Sequence, residues 1–195
     1  PASPADLSPD WLTAALTSGT VTAFTVEAPG GDGGLYGQTV RVRLVYDSAD
    51  AGAPRSLIAK FSAASPEMRA GASAAYAKEV HFYRELAPRS GLPVPACYYA
   101  DIDAASHLHV LLLEDMAPAA SGSRLIGCTP AQATLAVRHI AAFHAAWWEH
   151  PSLSALEWLP DPDFGSDPAS SQTQYESWWH GFLENIDDAP LPAPI

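Results

Sequence analysis

The residues of this sequence that could do chemistry begin with a lysine in an unusual setting. Lysine occurs only twice, and Lys60 interrupts the apolar segment SLIAKF, where an ammonium group without a partner would be costly to bury. Glu79 is a candidate partner because it lies at the centre of an apolar stripe on a long predicted helix. We therefore predict an ion pair between Lys60 and Glu79, which relieves both charges. The stripe consists of Ala72, Ala75, Tyr76, Glu79, Tyr83 and Leu86.

The alternative is that Lys60 lies on an edge strand and that the Glu79 carboxylate reaches solvent past its own apolar stem. Lys78 is a poor rival partner for Glu79. It is adjacent to Glu79 in sequence and therefore points to the polar side of the helix.

A glycine-rich segment, APGGDGGLYG, lies between two predicted strands. Its backbone N–H groups could approach a phosphate closely, although turn geometry alone could also explain it, and both interpretations stay open. The segment lacks the lysine of a P-loop and is not a strand-to-helix turn, which disfavours P-loop and dinucleotide-binding folds. Its glycines are Gly30, Gly31, Gly33, Gly34 and Gly37.

The elements that must position these residues change from β-rich to α-rich along the chain. Alternating apolar and polar residues predict five strands, at 20–28, 38–46, 55–63, 96–102 and 107–115. Capping residues and apolar periodicity predict four helices, one beginning at Ser8-Pro9 and the others at 65 to about 88, 129 to about 148 and 174–186. We therefore predict an N-lobe at 1–117, a hinge or linker at 118–128 and an incomplete helical C-lobe at 129–195.

This order of features resembles the N-lobe of the protein-kinase-like fold. The segments SLIAKF, AYAKEVHFYREL, LLLEDM and LAVRHIAAFHAAWW are similar to the aminoglycoside phosphotransferase and choline-kinase-like family, over most of residues 20–150. The resemblance implies an α+β fold, in which a five-stranded antiparallel sheet and one long helix precede the first helices of an α-helical C-lobe.

The resemblance also implies an ATP-dependent kinase that transfers the γ-phosphoryl group of ATP to a hydroxyl of a small molecule. The glycine-rich turn, from Gly30 to Gly37, would then cover the ATP phosphates. Lys60 would contact the α- and β-phosphates, and Glu79 would hold Lys60 in place.

A hinge strand and a histidine are implied in the same way. Glu114, Asp115 and Met116 would form the hinge, where the Glu114 carbonyl and the Met116 N–H face adenine. Such contacts come from the backbone, so the side chains there predict little. His144 matches a histidine common in the helix after the hinge, for which we expect a packing or hydrogen-bonding role.

The catalytic loop of this family, His-x-Asp-x-x-x-x-Asn, does not occur in the sequence. Asp163-Phe164-Gly165 spells the metal-binding tripeptide of protein kinases, but Pro162 and Pro168 bracket it and strand periodicity is lacking. We therefore interpret this tripeptide as part of a loop on the acceptor side and assign no catalytic or metal-binding residue. We expect a truncated phosphotransferase that is inactive alone, with its Mg²⁺ ligands beyond Ile195.

Two other classes of function are open. One is a non-catalytic kinase-like module that binds a nucleotide or a partner protein. The other is a metal hydrolase that uses the acidic residues of 161–163 and the histidines, but His139 and His144 lack the i,i+4 spacing of a zinc helix. We interpret His107 and His109 as two surface residues of one strand face, because a third ligand is missing.

Composition narrows the partners and the location. Ten basic and 22 acidic side chains give a net charge of −12, which disfavours nucleic acid and anionic membranes as partners. Cys97 and Cys128 lack disulfide or metal-site spacing, so we interpret them as part-buried thiols in a reducing cytoplasm. No apolar segment is long enough to span a bilayer.

The helical part is rich in tryptophan, and two interpretations of this are open. The indoles could be stranded by the absence of further helices, which would favour a homodimer, or they could be covered by helices of this chain. The residues concerned are Trp147, Trp148, Trp178 and Trp179.

Overall fold

The computed structural model describes residues 1–29, 37–119, 122, 127–159 and 168–185. These residues belong to two compact units, Pro1–Trp158 and Leu159–Ile195. The glycine-rich prediction at 30–34 and the tripeptide at 163–165 lie outside the described residues. The division into lobes around 118–128 stays a prediction.

A short helix opens the first unit. Helix α1 spans Pro9–Leu16 and follows a 3₁₀ turn at Pro4–Asp6. The Ser8 side chain accepts a hydrogen bond from the Trp11 N–H at 3.2 Å, and Pro9 occupies the first helical position. The predicted start of this helix is confirmed, for the reasons that make serine a good cap and proline a good first residue.

The five predicted strands are present and form one antiparallel sheet. Its strands are β1 Gly19–Glu27, β2 Gly37–Ala49, β3 Ser56–Ser62, β4 Cys97–Ile102 and β5 His109–Glu114. Their order across the sheet is β1-β2-β3-β5-β4, so that β2, β3 and β5 lie inside it. Strand β2 extends beyond its predicted end because β1 pairs with it as far as Gly19 opposite Ala49.

The sheet is covered on both faces. On one face, Leu12 and Leu16 of α1 pack with alternate residues of the strands. On the other face, Leu111 and Leu113 of β5 pack with Val80, which lies on the long helix. The α1-facing cluster includes Val42, Leu57, Ala59, Phe61, Val110 and Leu112. Because β5 contributes to both clusters, its sequence reads as a continuous apolar run.

Helix α2, at Pro66–His81, begins at a Ser65 cap and continues as a π-helical turn over Phe82–Leu86 and a 3₁₀ turn over Ala87–Arg89. Its buried face is rotated from the predicted stripe. Val80 is fully buried and Ala75 is exposed. The buried residues Ala72, Tyr76 and Val80 follow steps of four, which leaves Glu79 at the margin of the apolar face, where its carboxylate keeps contact with solvent.

Two long helices follow. Helix α3 spans Pro130–Trp147 and has the predicted capping box between Thr129 and Gln132. In the second unit, helix α4 spans Pro168–Asn185 and begins earlier than the predicted residue 174, since Pro168 can occupy a first turn whose polar residues carry no apolar pattern. No helix among the described residues is long and apolar enough to cross a membrane.

The two cysteines differ in burial. Cys97 on β4 is half-buried, and burial raises the pKa of its thiol. Cys128 is exposed, so the interpretation of both as part-buried thiols is wrong for Cys128. The reason is local: Cys128 precedes the Thr129 cap of α3, whose first residues are all exposed.

Candidate functional site

The predicted ion pair between Lys60 and Glu79 is confirmed. Lys60 lies on β3 with its side chain directed away from the α1-facing cluster, and its Nζ donates to Oε1 of Glu79 on α2. The two side chains are 33 % and 31 % exposed, so the pair is open to solvent on one side. Lys78 is exposed on the outer side of α2, as predicted. The site therefore holds a positionally fixed ammonium group that a dissolved anion could reach.

Gly37 is the one residue of the glycine-rich prediction that lies within the described residues. It pairs with Ser62 across β2 and β3, two residues from the pairing of Thr39 with Lys60. A Cβ atom at this position would lie 2.2 Å from the Phe61 carbonyl oxygen. Glycine is thus required for the close approach of the strands, and the glycine-rich segment ends beside the strand that carries Lys60.

The predicted hinge contains a charge cluster centred on Asp115. Arg41 of β2 donates from Nε to Oδ2 at 2.7 Å and from Nη2 to Oδ1 at 3.1 Å. The Ser56 hydroxyl and the Ala117 N–H donate to the same carboxylate. The bond from Arg41 is the main reason that the pKa of Asp115 is lowered to about 2. Sequence reasoning had treated the hinge side chains as uninformative and missed this cluster.

Glu114 and Met116, on either side of Asp115, are held in different ways. Glu114 exchanges two hydrogen bonds with Ala96, one through its backbone N–H at 2.8 Å and one through its carboxylate at 3.1 Å. The Met116 side chain is 49 % exposed, and its carbonyl accepts from the Ala119 N–H at 2.9 Å. Their predicted contacts with adenine stay a prediction.

His109 is buried, so its interpretation as a surface histidine is wrong. Its side chain is 3 % exposed, its Nδ1 lies 2.9 Å from the Ser62 hydroxyl, and its ring stacks on Tyr76 with centroids 4.2 Å apart. Burial lowers the pKa of His109 to about 4. His107 does not share its strand face, because His107 precedes β5 with a φ of 56° that breaks the alternation.

His144 and the tryptophans lie at the end of α3. His144 and Trp148 are exposed, and with Trp147 and Glu149 they line a cavity of about 280 Å³. The Arg89 guanidinium lies 5.4 Å from the Trp147 ring centroid, a cation–π contact that links α3 to the end of the α2 segment. In the second unit, Trp178 is 68 % exposed and Trp179 is 39 % exposed.

The described residues contain no group of three or more His, Cys, Asp or Glu side chains that could hold a metal ion. Among the predicted site residues within the described part of the chain, the Lys60–Glu79 pair is partly open to solvent and Met116 is exposed. A five-stranded antiparallel sheet backed by one long helix, with a strand lysine paired to a helix glutamate, defines a protein of the protein-kinase-like class.

The comparison with family models agrees with this class. The model of the ecdysteroid kinase-like family matches residues 33–150, more than half of the sequence. The chain therefore belongs to the ecdysteroid kinase-like family. The finer resemblance to the aminoglycoside phosphotransferase and choline-kinase-like family stays a prediction. Searches of curated proteins and of solved structures gave no match.

Proposed function

We propose that these residues form the nucleotide-binding part of an ATP-dependent phosphotransferase that acts on a hydroxyl of a small molecule. The observation that carries the proposal is the Lys60–Glu79 ion pair on a sheet of kinase-like topology. Because Glu79 holds the ammonium in place and a third of each side chain is exposed, the Lys60 Nζ can meet phosphate oxygens without first being ordered.

The role of Lys60 in this proposal is electrostatic. In phosphoryl transfer the bond between the γ-phosphorus and the oxygen bridging it to the β-phosphorus breaks, and that oxygen leaves as part of ADP. The γ-phosphorus bonds to the acceptor oxygen, and the proton of the acceptor hydroxyl is released to solvent. The ammonium of Lys60 would orient the α- and β-phosphates and offset their charge. Gly37 would end the backbone segment that covers them. The Mg²⁺ that accompanies ATP would screen the same phosphates, and we assign no ligand to it among the described residues.

The name of the family suggests the class of acceptor. An ecdysteroid is a steroid alcohol, and a steroid hydroxyl is therefore the acceptor that we propose to test first. An aminoglycoside, an amino alcohol and a sugar are the alternatives.

A non-catalytic module that binds a nucleotide or a partner is the second candidate. It stays open because the Lys60–Glu79 pair could bind phosphates without phosphoryl transfer. The two candidates differ in turnover when the coding region is extended beyond Ile195: transfer of labelled phosphate from ATP to a steroid alcohol then supports the enzyme. ATP binding without such transfer to any of the four acceptor classes supports the module.

The test of nucleotide binding compares the two lysines of the chain. Lys60→Met should weaken binding of MgATP by at least about tenfold, because it removes a charge-assisted hydrogen bond to the phosphates. Lys78→Met is the matched control and should leave the Kd unchanged, because Lys78 is exposed on the other side of α2. Isothermal titration calorimetry measures both. Equal affinities in the two variants would contradict the role of Lys60.

A further inference from the structure

The Asp115 carboxylate accepts hydrogen bonds from two strands of the sheet and from the chain just beyond the hinge. Arg41 reaches it from β2, Ser56 from the start of β3, and the Ala117 N–H from the chain beyond the hinge. The side chains of Asp115 and Arg41 are 8 % and 20 % exposed. Since β3 lies between β2 and β5, the arginine crosses a whole strand to make this contact.

A second arginine on β2 shows that this arrangement is particular to Arg41. Arg43 lies on the same face of the strand, and its Nε donates to Glu27 at 2.8 Å. These two side chains are 57 % and 44 % exposed, and the pair joins only the neighbouring strands β1 and β2. The two arginines thus form two salt bridges of the same chemistry, one part-buried at the hinge and one exposed.

The Asp115 cluster lies at the opposite end of β3 from Lys60. Ser56, Ile58 and Lys60 alternate with the buried residues Leu57, Ala59 and Phe61, so they share the face that is turned away from α1. Lys60 lies four positions after Ser56 along the strand, which corresponds to about 13 Å. One sheet face therefore carries the Lys60 ammonium group near one end. At the other end, Asp115 ties the hinge backbone to the neighbouring strands.

We propose that Arg41, Asp115 and Ser56 are positioning residues that hold the backbone of 114–116 for the base of the nucleotide, while Lys60 serves its phosphates. This inference rests on the function proposed above and goes beyond it, because it divides recognition of the nucleotide between two anchored sites. The cluster touches neither base nor phosphate: its carboxylate is already occupied by protein donors, and it acts through the hinge backbone.

The test separates the base from the phosphates. Calorimetry on the full chain measures the Kd of MgATP and of magnesium tripolyphosphate, which has the phosphates and lacks the base. Arg41→Lys keeps the charge and loses the two-pronged contact with Asp115, and it should weaken MgATP about tenfold while tripolyphosphate changes less than about twofold. Ser56→Ala removes one donor and should act in the same direction more weakly. Lys60→Met should weaken both ligands.

Arg43→Lys is the matched control, and neither ligand should respond to it. The proposal is overturned if Arg41→Lys and Ser56→Ala leave MgATP binding unchanged, or if they weaken both ligands equally. If Arg41→Lys does not fold, Ser56→Ala alone decides, because it removes a single hydroxyl. A wild-type chain that binds neither ligand overturns the proposed function itself. If the wild type binds both ligands and Lys60→Met weakens both, but the substitutions at Arg41 and Ser56 leave both Kd values unchanged, only this inference is overturned.

Discussion

The ring of Tyr76 stacks on the ring of His109, with centroids 4.2 Å apart and planes inclined by 25°. Tyr76 lies one helical turn before Glu79 on α2, and His109 begins the strand that pairs with Lys60 through Leu111. The Tyr76 hydroxyl also accepts a hydrogen bond from the Ala63 N–H at 3.1 Å. The two contacts therefore fix α2 against the start of β5 and the end of β3, near both members of the ion pair.

Tyr76→Phe should destabilise the fold by about 1–3 kcal/mol, because it keeps the ring and leaves the buried Ala63 N–H without this acceptor. Urea unfolding measures the loss. Tyr175→Phe, at an exposed position of α4, is the control and should change stability by less than about 0.5 kcal/mol. A loss no larger than that of the control would show that the hydroxyl contributes nothing.

Stability should decrease when His109 is forced to take up a proton. Its pKa is about 4 in the fold and near 6.5 when the chain is unfolded, so the unfolded state binds more protons between these values. The contribution of neutral His109 to the free energy of unfolding is fully present above about pH 6.5. It falls by roughly 3 kcal/mol as the pH decreases to 4.

The substitution His109→Gln should remove this part of the pH dependence, which urea unfolding at several pH values measures. His139→Gln, on the exposed surface of α3, is the control and should keep the wild-type slope. The interpretation fails if His109→Gln retains that slope between pH 4 and 6.5.

Asp115→Asn should destabilise the fold by about 2–4 kcal/mol, because it leaves the mostly buried Arg41 charge without its counterion. Since the pKa of Asp115 is lowered to about 2 from 3.8, its stabilising effect is present above pH 3.8 and is lost as the pH falls through 2. Chemical unfolding at pH 7 measures the difference. Glu27→Gln removes the exposed pair with Arg43 and should cost less than about 1 kcal/mol, so similar costs for the two variants would contradict the distinction.

Two alanines on α2 test which face of the helix is buried. Ala72 is 5 % exposed and Ala75 is exposed, although the sequence pattern predicted both on the buried stripe. Ala72→Gln should lower the free energy of unfolding by about 1–3 kcal/mol, because the larger side chain overpacks a buried position. Ala75→Gln should change it by less than about 0.5 kcal/mol. Thermal unfolding compares them directly. Equal losses in the two variants would support the predicted stripe, in which both alanines lie on the buried face.

Local patterns in the sequence were sufficient for most of the fold. Five strands, the caps at Ser8, Ser65 and Thr129 and the pairing of Lys60 with Glu79 were predicted from the residues and are present, whereas the single antiparallel sheet was predicted from the resemblance. Strands and caps depend on residues close together in the chain, so the residue types at those positions indicate them. The ion pair is indicated because a single charge in an apolar segment would be costly to bury without a partner.

Features that depend on distant residues were missed. The burial of His109 follows from its place on an inner strand beneath Tyr76, and a histidine in an apolar run does not reveal that neighbour. The rotation of α2 that buries Val80 and exposes Ala75 is set by packing against β5. The sequence does not reveal it, because apolar residues occur on several faces of this helix.

The sequence by itself determined the strands, the helix starts and the Lys60–Glu79 pair, because alternation, capping residues and a lysine in an apolar strand are local features, and the order of these features is what resembles the protein-kinase-like class. Only the tertiary structure decided that Asp115 binds Arg41, since 74 residues separate them and β3 lies between their strands. Arg41 and Arg43 alternate identically in the sequence. Their different partners and burial arise from strand order, which determines which carboxylate comes within reach.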